Sequence, residues 1–159
     1  MELKENSNAR LIQGGIIIFW FLFWLFALID KFIFEPVFLW VGKDFFEEFV
    51  ELFASIGINS IFIVGFFYWL VVAFEVLAFL FLTLSLGNYF LKNSKKAEKF
   101  FFFGTIIGLA IFTFFTLGDQ MFGEREELLE HTLFWIVILV SWVLYSHLSK
   151  LKNNKKIEE

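Results

Sequence analysis

The chain contains no cysteine. That excludes quinone-coupled thiol–disulfide chemistry, thiolate metal sites and lipidation on sulfur. Histidine is nearly as scarce. The only two, His131 and His147, would stand about 24 Å apart on one helix at 1.5 Å per residue. One subunit therefore cannot bring both to a single haem iron, and no other histidine is present to pair with either. No glycine-rich phosphate loop, nucleophile elbow or HExxH motif occurs, so those catalytic designs have no support. Basic segments are too short for a nucleic-acid surface. There is one proline, Pro36, and it falls where a first long helix must stop.

Apolar residues are abundant. They make up 59% of 159 residues, and phenylalanine alone fills 27 positions; a soluble domain is nearer 45–50% apolar. The length suits one domain. The excess lies in four runs: Leu11–Ile29, Ser60–Leu86, Phe100–Leu117 and Leu133–Leu148. A bilayer span needs about 20 apolar residues. The fourth run is short, but helix starting near Glu124 lengthens it. Leu11–Ile29 exceeds a signal-peptide core and lacks a small-x-small cleavage site, so it reads as an uncleaved first helix. The expected spans are 11–29, 60–86, 100–117 and 132–148.

Four spans put both termini on one side. That side carries Lys4, Arg10, Lys92, Lys95, Lys96, Lys99, Lys150, Lys152, Lys155 and Lys156. The other has only Lys31, Lys43 and Arg125 among basic residues and is otherwise acidic. Lysine and arginine mark cytoplasmic loops. Both termini are thus expected in the cytoplasm, with the protein in the inner (cytoplasmic) membrane.

Between the first two runs, residues 43–54 carry Lys43, Asp44, Glu47, Glu48 and Glu51 at helical spacing, with phenylalanines on the other face. This predicts a short amphipathic helix on the outer side, in the interface or as a lid over the bundle. Asp44 with Glu47 caps its start and Gly57 ends it. Residues 1–10 and 149–159 read as polar tails. Gly14 and Gly15, and the Gly104/Gly108 pair, permit close helix approach. Gly118 to Gly123 reads as a tight outer turn.

One side chain stands out. Glu75 lies mid-way in a run whose only other ionisable group is Tyr68. A carboxylate at that depth must be paired, protonated or hydrated, which makes it a site candidate. Gly65, Tyr68, Val72, Glu75 and Phe79 share a helical stripe that should face protein. Lys31 is the one basic residue placed to reach inward. A second candidate is an outer polar cluster of Asp30, Lys31, Asp119, Gln120, Arg125, Glu127, Glu130 and His131. Glu127 and His131 share a helix face, but the second Glu/His pair of a di-iron bundle is missing. The cluster is read as an ion-paired helix end, with no metal.

Arg10 opens the first helix, Gly14 and Gly15 follow, and Asp30-Lys31-Phe32 closes it. An interhelical segment ends Phe53-Ala54-Ser55-Ile56-Gly57, and then comes Trp69-Leu-Val-Val-Ala-Phe-Glu75-Val-Leu. This pattern resembles the DoxX-like family of small four-helix bacterial membrane proteins. The resemblance reaches through the second helix; the remainder agrees in having two more. It implies a four-helix bundle with cytoplasmic termini, an embedded glutamate at Glu75 and, at Lys31, the basic residue that follows helix one. Some members of that family are subunits of quinone-linked oxidoreductases.

The expected fold is all-α: an integral membrane four-helix bundle with one outer amphipathic helix. The expected function is an accessory or structural subunit of a membrane complex, quinone-linked respiratory being the version the resemblance implies; no catalytic residue is assigned, and enzyme activity is left open. The alternative is a small proton-coupled carrier or quinone-site component using Glu75 and Tyr68. Partners are the lipid bilayer and another membrane protein or a second copy; no cofactor is evident, and quinone is the one left open. Reporters fused after Lys96 and at the C-terminus should both read cytoplasmic. An external reading from either contradicts the topology.

Overall fold

The computed structural model describes residues 2–33, 35, 37 and 42–155. Pro36 and Trp40 lie outside the described residues, as do the side chains of Lys4, Lys152, Lys155 and Lys156. Five helices occur among the described residues: α1 Glu2–Asp30, α2 Phe45–Ser55, α3 Ile61–Phe90, α4 Ser94–Phe122 and α5 Arg125–Lys155. Four contain segments long and apolar enough to cross a bilayer: Asn8–Asp30, Ile61–Phe90, Ser94–Phe122 and Arg125–Leu151. Large apolar side chains such as Phe19, Phe62, Phe66, Leu117 and Val140 face outward. These features mark a multi-pass membrane protein.

Each apolar run forms part of a longer helix. The expected N-terminal tail is helical from Glu2, and α5 continues through Lys155. Hydropathy sets where a helix meets lipid, and nothing in these polar flanks breaks the backbone ladder. The expected turn over Gly118–Gly123 is also mostly helix. Only Gly123 leaves it, at φ 84°, where it and Glu124 both donate to the Asp119 carbonyl at 2.8 and 3.0 Å. Asp119 is buried by its own contact with α5, described below, and this holds the preceding turn in helical form.

The long helices pack as a ring in the order α1, α3, α4, α5, with the α1–α5 seam the sparsest. Trp20 and Trp24 of α1, Leu82 of α3, Phe101 and Phe112 of α4, and Ile138 of α5 fill the centre. Lipid is as apolar as these side chains, so close packing and hydrogen bonds hold the ring together. Glycines make room for both. A side chain on Gly104 would meet Leu82 at 2.9 Å, and one on Gly108 would meet Ile138 and Trp24. At the basic end, Tyr89 donates to the Arg10 carbonyl at 2.7 Å, over Gly14. Arg10 returns a bond to the Tyr89 carbonyl at 3.4 Å.

α2 is the exception to this lipid-facing character. Asp44 accepts from Phe46 and Glu47, both at 3.0 Å. The helix ends in a Schellman pair, Gly57 to Ala54 and Ile58 to Phe53, both 2.9 Å. Its phenylalanines pack on the bundle: Phe46 and Phe49 meet Tyr68 edge-on, and Phe53 meets Phe67 and Phe122. It is therefore a lid on the acidic end.

Adjacent glycines give a clean test. Gly14→Ala should cost about 1–3 kcal/mol, because the added methyl displaces the Tyr89 ring. Gly15 has nothing within 4 Å of such a methyl, so Gly15→Ala should be neutral or stabilising by about 0.5–1 kcal/mol. Equal effects in detergent unfolding would contradict this packing.

Candidate functional site

Glu75 occupies the middle of α3 and is 2% exposed. Val64, Tyr68, Val72, Ala78, Leu82 and Ser85 are buried with it, a stripe at helical spacing that faces protein. The expected stripe is thus observed through Tyr68, Val72 and Glu75. At its lidward end Val64 is the buried residue, and Gly65 is only half-buried.

Lys31 follows the last residue of α1, where Lys31 and Phe32 donate to Leu28 and Ile29 in a closing turn. Its side chain runs back into the bundle. Nζ stands 3.6 Å from Glu75 Oε1, with the two side chains 10% and 2% exposed. The first residue of α2 caps this pair: the Phe45 ring centroid is 3.9 Å from Nζ. A cation over a ring face, away from water, gains electrostatic stabilisation. Lys31 therefore has a carboxylate below and an aromatic face beside it. Glu75 Oε2 is buried and has no hydrogen-bond partner among the described residues.

Tyr68 lies two turns lidward of Glu75, about 10 Å along the helix. Its ring receives Phe46 and Phe49. Its placement joins the lid to the stripe, and no hydrogen bond links it to Glu75.

The outer polar cluster divides into three. Lys31 leaves it for Glu75, and Asp30 stays half-buried at the end of α1. Asp119 and His131 form a second unit: Nδ1 and Oδ2 are 2.7 Å apart, with Asp119 nearly buried, and the imidazole packs against Phe115 at 4.8 Å. Glu127 belongs to a third feature, a cavity of about 250 Å³ lined by Glu48, Glu51, Leu52, Ser55, Phe122, Glu124 and Glu127. Gln120, Arg125 and Glu130 are exposed and join none of these. Sequence spacing could place Glu127 beside His131; it could not show that the lid would bring Glu48 and Glu51 to Glu127.

An apolar crevice of about 40 Å³ between α3 and α4 is lined by Phe67, Leu70, Val71, Phe74, Ala110, Ile111 and Phe114. Neither space is lined by Glu75, Lys31 or Tyr68. Among the described residues, no three His, Asp or Glu side chains are grouped to hold a metal ion. His147 is exposed near the far end of α5.

Sequence reasoning missed a polar latch at the basic end. Gln13 is buried and donates to the Tyr145 carbonyl at 3.2 Å and to Ser149 Oγ at 3.1 Å. This ties α1 to α5 where their seam is otherwise sparse. The available signal was a lone amide one turn beyond Arg10, inside an otherwise apolar run.

Compared with protein-family models, curated proteins and solved structures, the chain matches none. Its functional reading therefore rests on its own geometry.

Removing one member of a buried ion pair strands the other, at a typical cost of about 3–5 kcal/mol, whereas replacing both with apolar groups is often neutral. Lys31→Met should accordingly lower stability strongly, and Lys31→Met with Glu75→Leu should recover most of the loss. Unfolding in detergent measures both. Additive losses in the double variant would show that the two groups do not interact.

Proposed function

We propose that this protein handles protons within the membrane at the Lys31–Glu75 pair, as a small proton-coupled carrier. The observation that carries this reading is the half-satisfied carboxylate: Oε1 faces Lys31, and Oε2 has no protein partner. Buried polar groups are normally paired, and an exception in a membrane interior calls for a reason beyond packing. A lone carboxylate oxygen beside a lysine ammonium can take up and release a proton with little rearrangement. The lid, seated on Lys31 through Phe45, is placed to control access from the acidic end. The charge bias and the DoxX-like resemblance support a bacterial inner membrane, with the basic end in the cytoplasm. A quinone-site role would set a redox headgroup beside Glu75, and proton handling does not require one.

One observation favours a second reading, an accessory subunit of a membrane complex. In the apolar stretch of α5, 11% of the residues are buried, against 28% to 33% in the other three spans. A long helix left so uncovered offers room for a neighbouring membrane protein as well as for lipid.

Infrared spectra of the purified protein across pH test the first reading without a known substrate. A carboxylic-acid band should appear and vanish reversibly between about pH 5 and 8, the range a working proton group needs. It should be absent from Glu75→Gln, which still inserts and accumulates. A Glu75 that holds one protonation state throughout contradicts proton handling. If Glu75→Gln instead releases a stoichiometric partner in a mild-detergent pull-down, the accessory reading takes its place.

A further inference from the structure

Four polar atoms in the bundle core lack a hydrogen-bond partner among the described residues: Glu75 Oε2, Trp24 Nε1, Trp20 Nε1 and Thr105 Oγ1. Their residues are at most 2% exposed. A bilayer offers no bulk water to relieve such groups, and each one left unpaired is costly.

Thr105 makes the case most sharply. Thr83, Thr113, Thr116 and Thr132 each donate to the carbonyl four residues back, at 2.7 to 2.8 Å. That bond is the standard refuge for a threonine hydroxyl in an apolar helix. Thr105 forgoes it, although it is almost wholly buried. The tryptophans show the same contrast. Trp135 donates to Thr113 Oγ1 at 3.1 Å, while Trp20 and Trp24, far more buried, have no such acceptor.

The four residues lie within about one helical turn of one another along the bundle. Trp20 and Trp24 are one turn apart on α1. Both rings meet Phe112 of α4, at 6.5 and 5.6 Å between centroids. Trp24 also lies against Gly108, one turn from Thr105. The stack of Phe21 on Phe79 at 5.3 Å and the Arg10–Tyr89 clasp fix the antiparallel register of α1 and α3. That register brings Glu75 level with Trp24. Two indole N–H donors, a hydroxyl that both donates and accepts, and a carboxylate acceptor thus share the centre of the bundle. Direct pairing among them is absent, but water can serve all four, because an internal water makes two to four hydrogen bonds.

We infer that buried waters join Glu75 Oε2, Trp24 Nε1, Trp20 Nε1 and Thr105 Oγ1 into a hydrated column running from Glu75 toward the basic end. Glycine at position 108 lets the Trp24 ring approach α4 from the diagonal helix. Under the proton-handling reading, on which this consequence alone rests, these waters are the groups with which Glu75 exchanges its proton.

Radiolytic hydroxyl labelling of the full chain in nanodiscs, read by mass spectrometry, tests the inference. X-ray radiolysis of a bound water oxidises the side chain beside it whatever the bulk exposure of that side chain. Trp20 and Trp24 should both be oxidised in the folded protein; absence of oxidation from either overturns the column. Thr105→Val supplies a second readout. If the hydroxyl binds water, the isosteric change should lower Tm. An unchanged or raised Tm means that the hydroxyl was a dry, uncompensated group, and the column is then wrong. Neither readout depends on Glu75 titrating, so a dry core and an inert Glu75 are separate results.

Discussion

A buried charge that must be neutralised governs this bundle. Glu75 sits at the middle of α3, where an isolated carboxylate is least tolerable, and Lys31 is the cation that reaches it. That single requirement constrains several parts at once. The end of α1 must turn so that a lysine at the membrane boundary points inward. α1 and α3 must keep their register, which the Tyr89–Arg10 clasp holds at the opposite end. The lid must place Phe45 against the ammonium, which screens the pair from the acidic surface beyond. Lid docking and charge burial are thereby coupled, and loosening α2 would expose Lys31 first.

Around that pair the polar groups are layered along the bundle. Asp119 and His131 fasten α4 to α5 near the lid, and Gln13 with Ser149 fastens α1 to α5 near the basic end. Between them the helices rely on close contact at Gly104 and Gly108. A membrane supplies little hydrophobic drive for helices to associate, so hydrogen bonds at the ends and glycine contacts in the middle divide the task. The centre, flanked by α1 and α4, is where aromatic bulk and unpaired polar atoms coincide.

Some of this was legible in the sequence, for physical reasons. Glu75 stood out because an apolar run makes one carboxylate conspicuous, and Lys31 because no other basic residue could reach inward. Caps at Asp44 and Gly57 depend on local chemistry, so local reading sufficed. Helix ends were less legible. Backbone hydrogen bonding carried α1 and α5 into polar sequence, and the Asp119–His131 contact kept helical a stretch whose glycines signal a turn. Long-range pairings were hidden altogether. Nothing near Gln13 points to a serine more than a hundred positions away, and nothing in the outer cluster shows that Glu127 faces the lid while Lys31 turns from it.

The most direct test of this account is the distance between the Lys31 side-chain nitrogen and the Glu75 carboxyl carbon. Solid-state NMR dipolar recoupling on the protein in lipid bilayers, with those two sites labelled, measures it. A strong coupling, in keeping with the 3.6 Å separation of nitrogen and oxygen, is the expected result. A lysine nitrogen that shows no coupling to that carboxyl and instead faces the aqueous boundary would contradict the account, and the roles assigned to the lid and to Glu75 would fall with it.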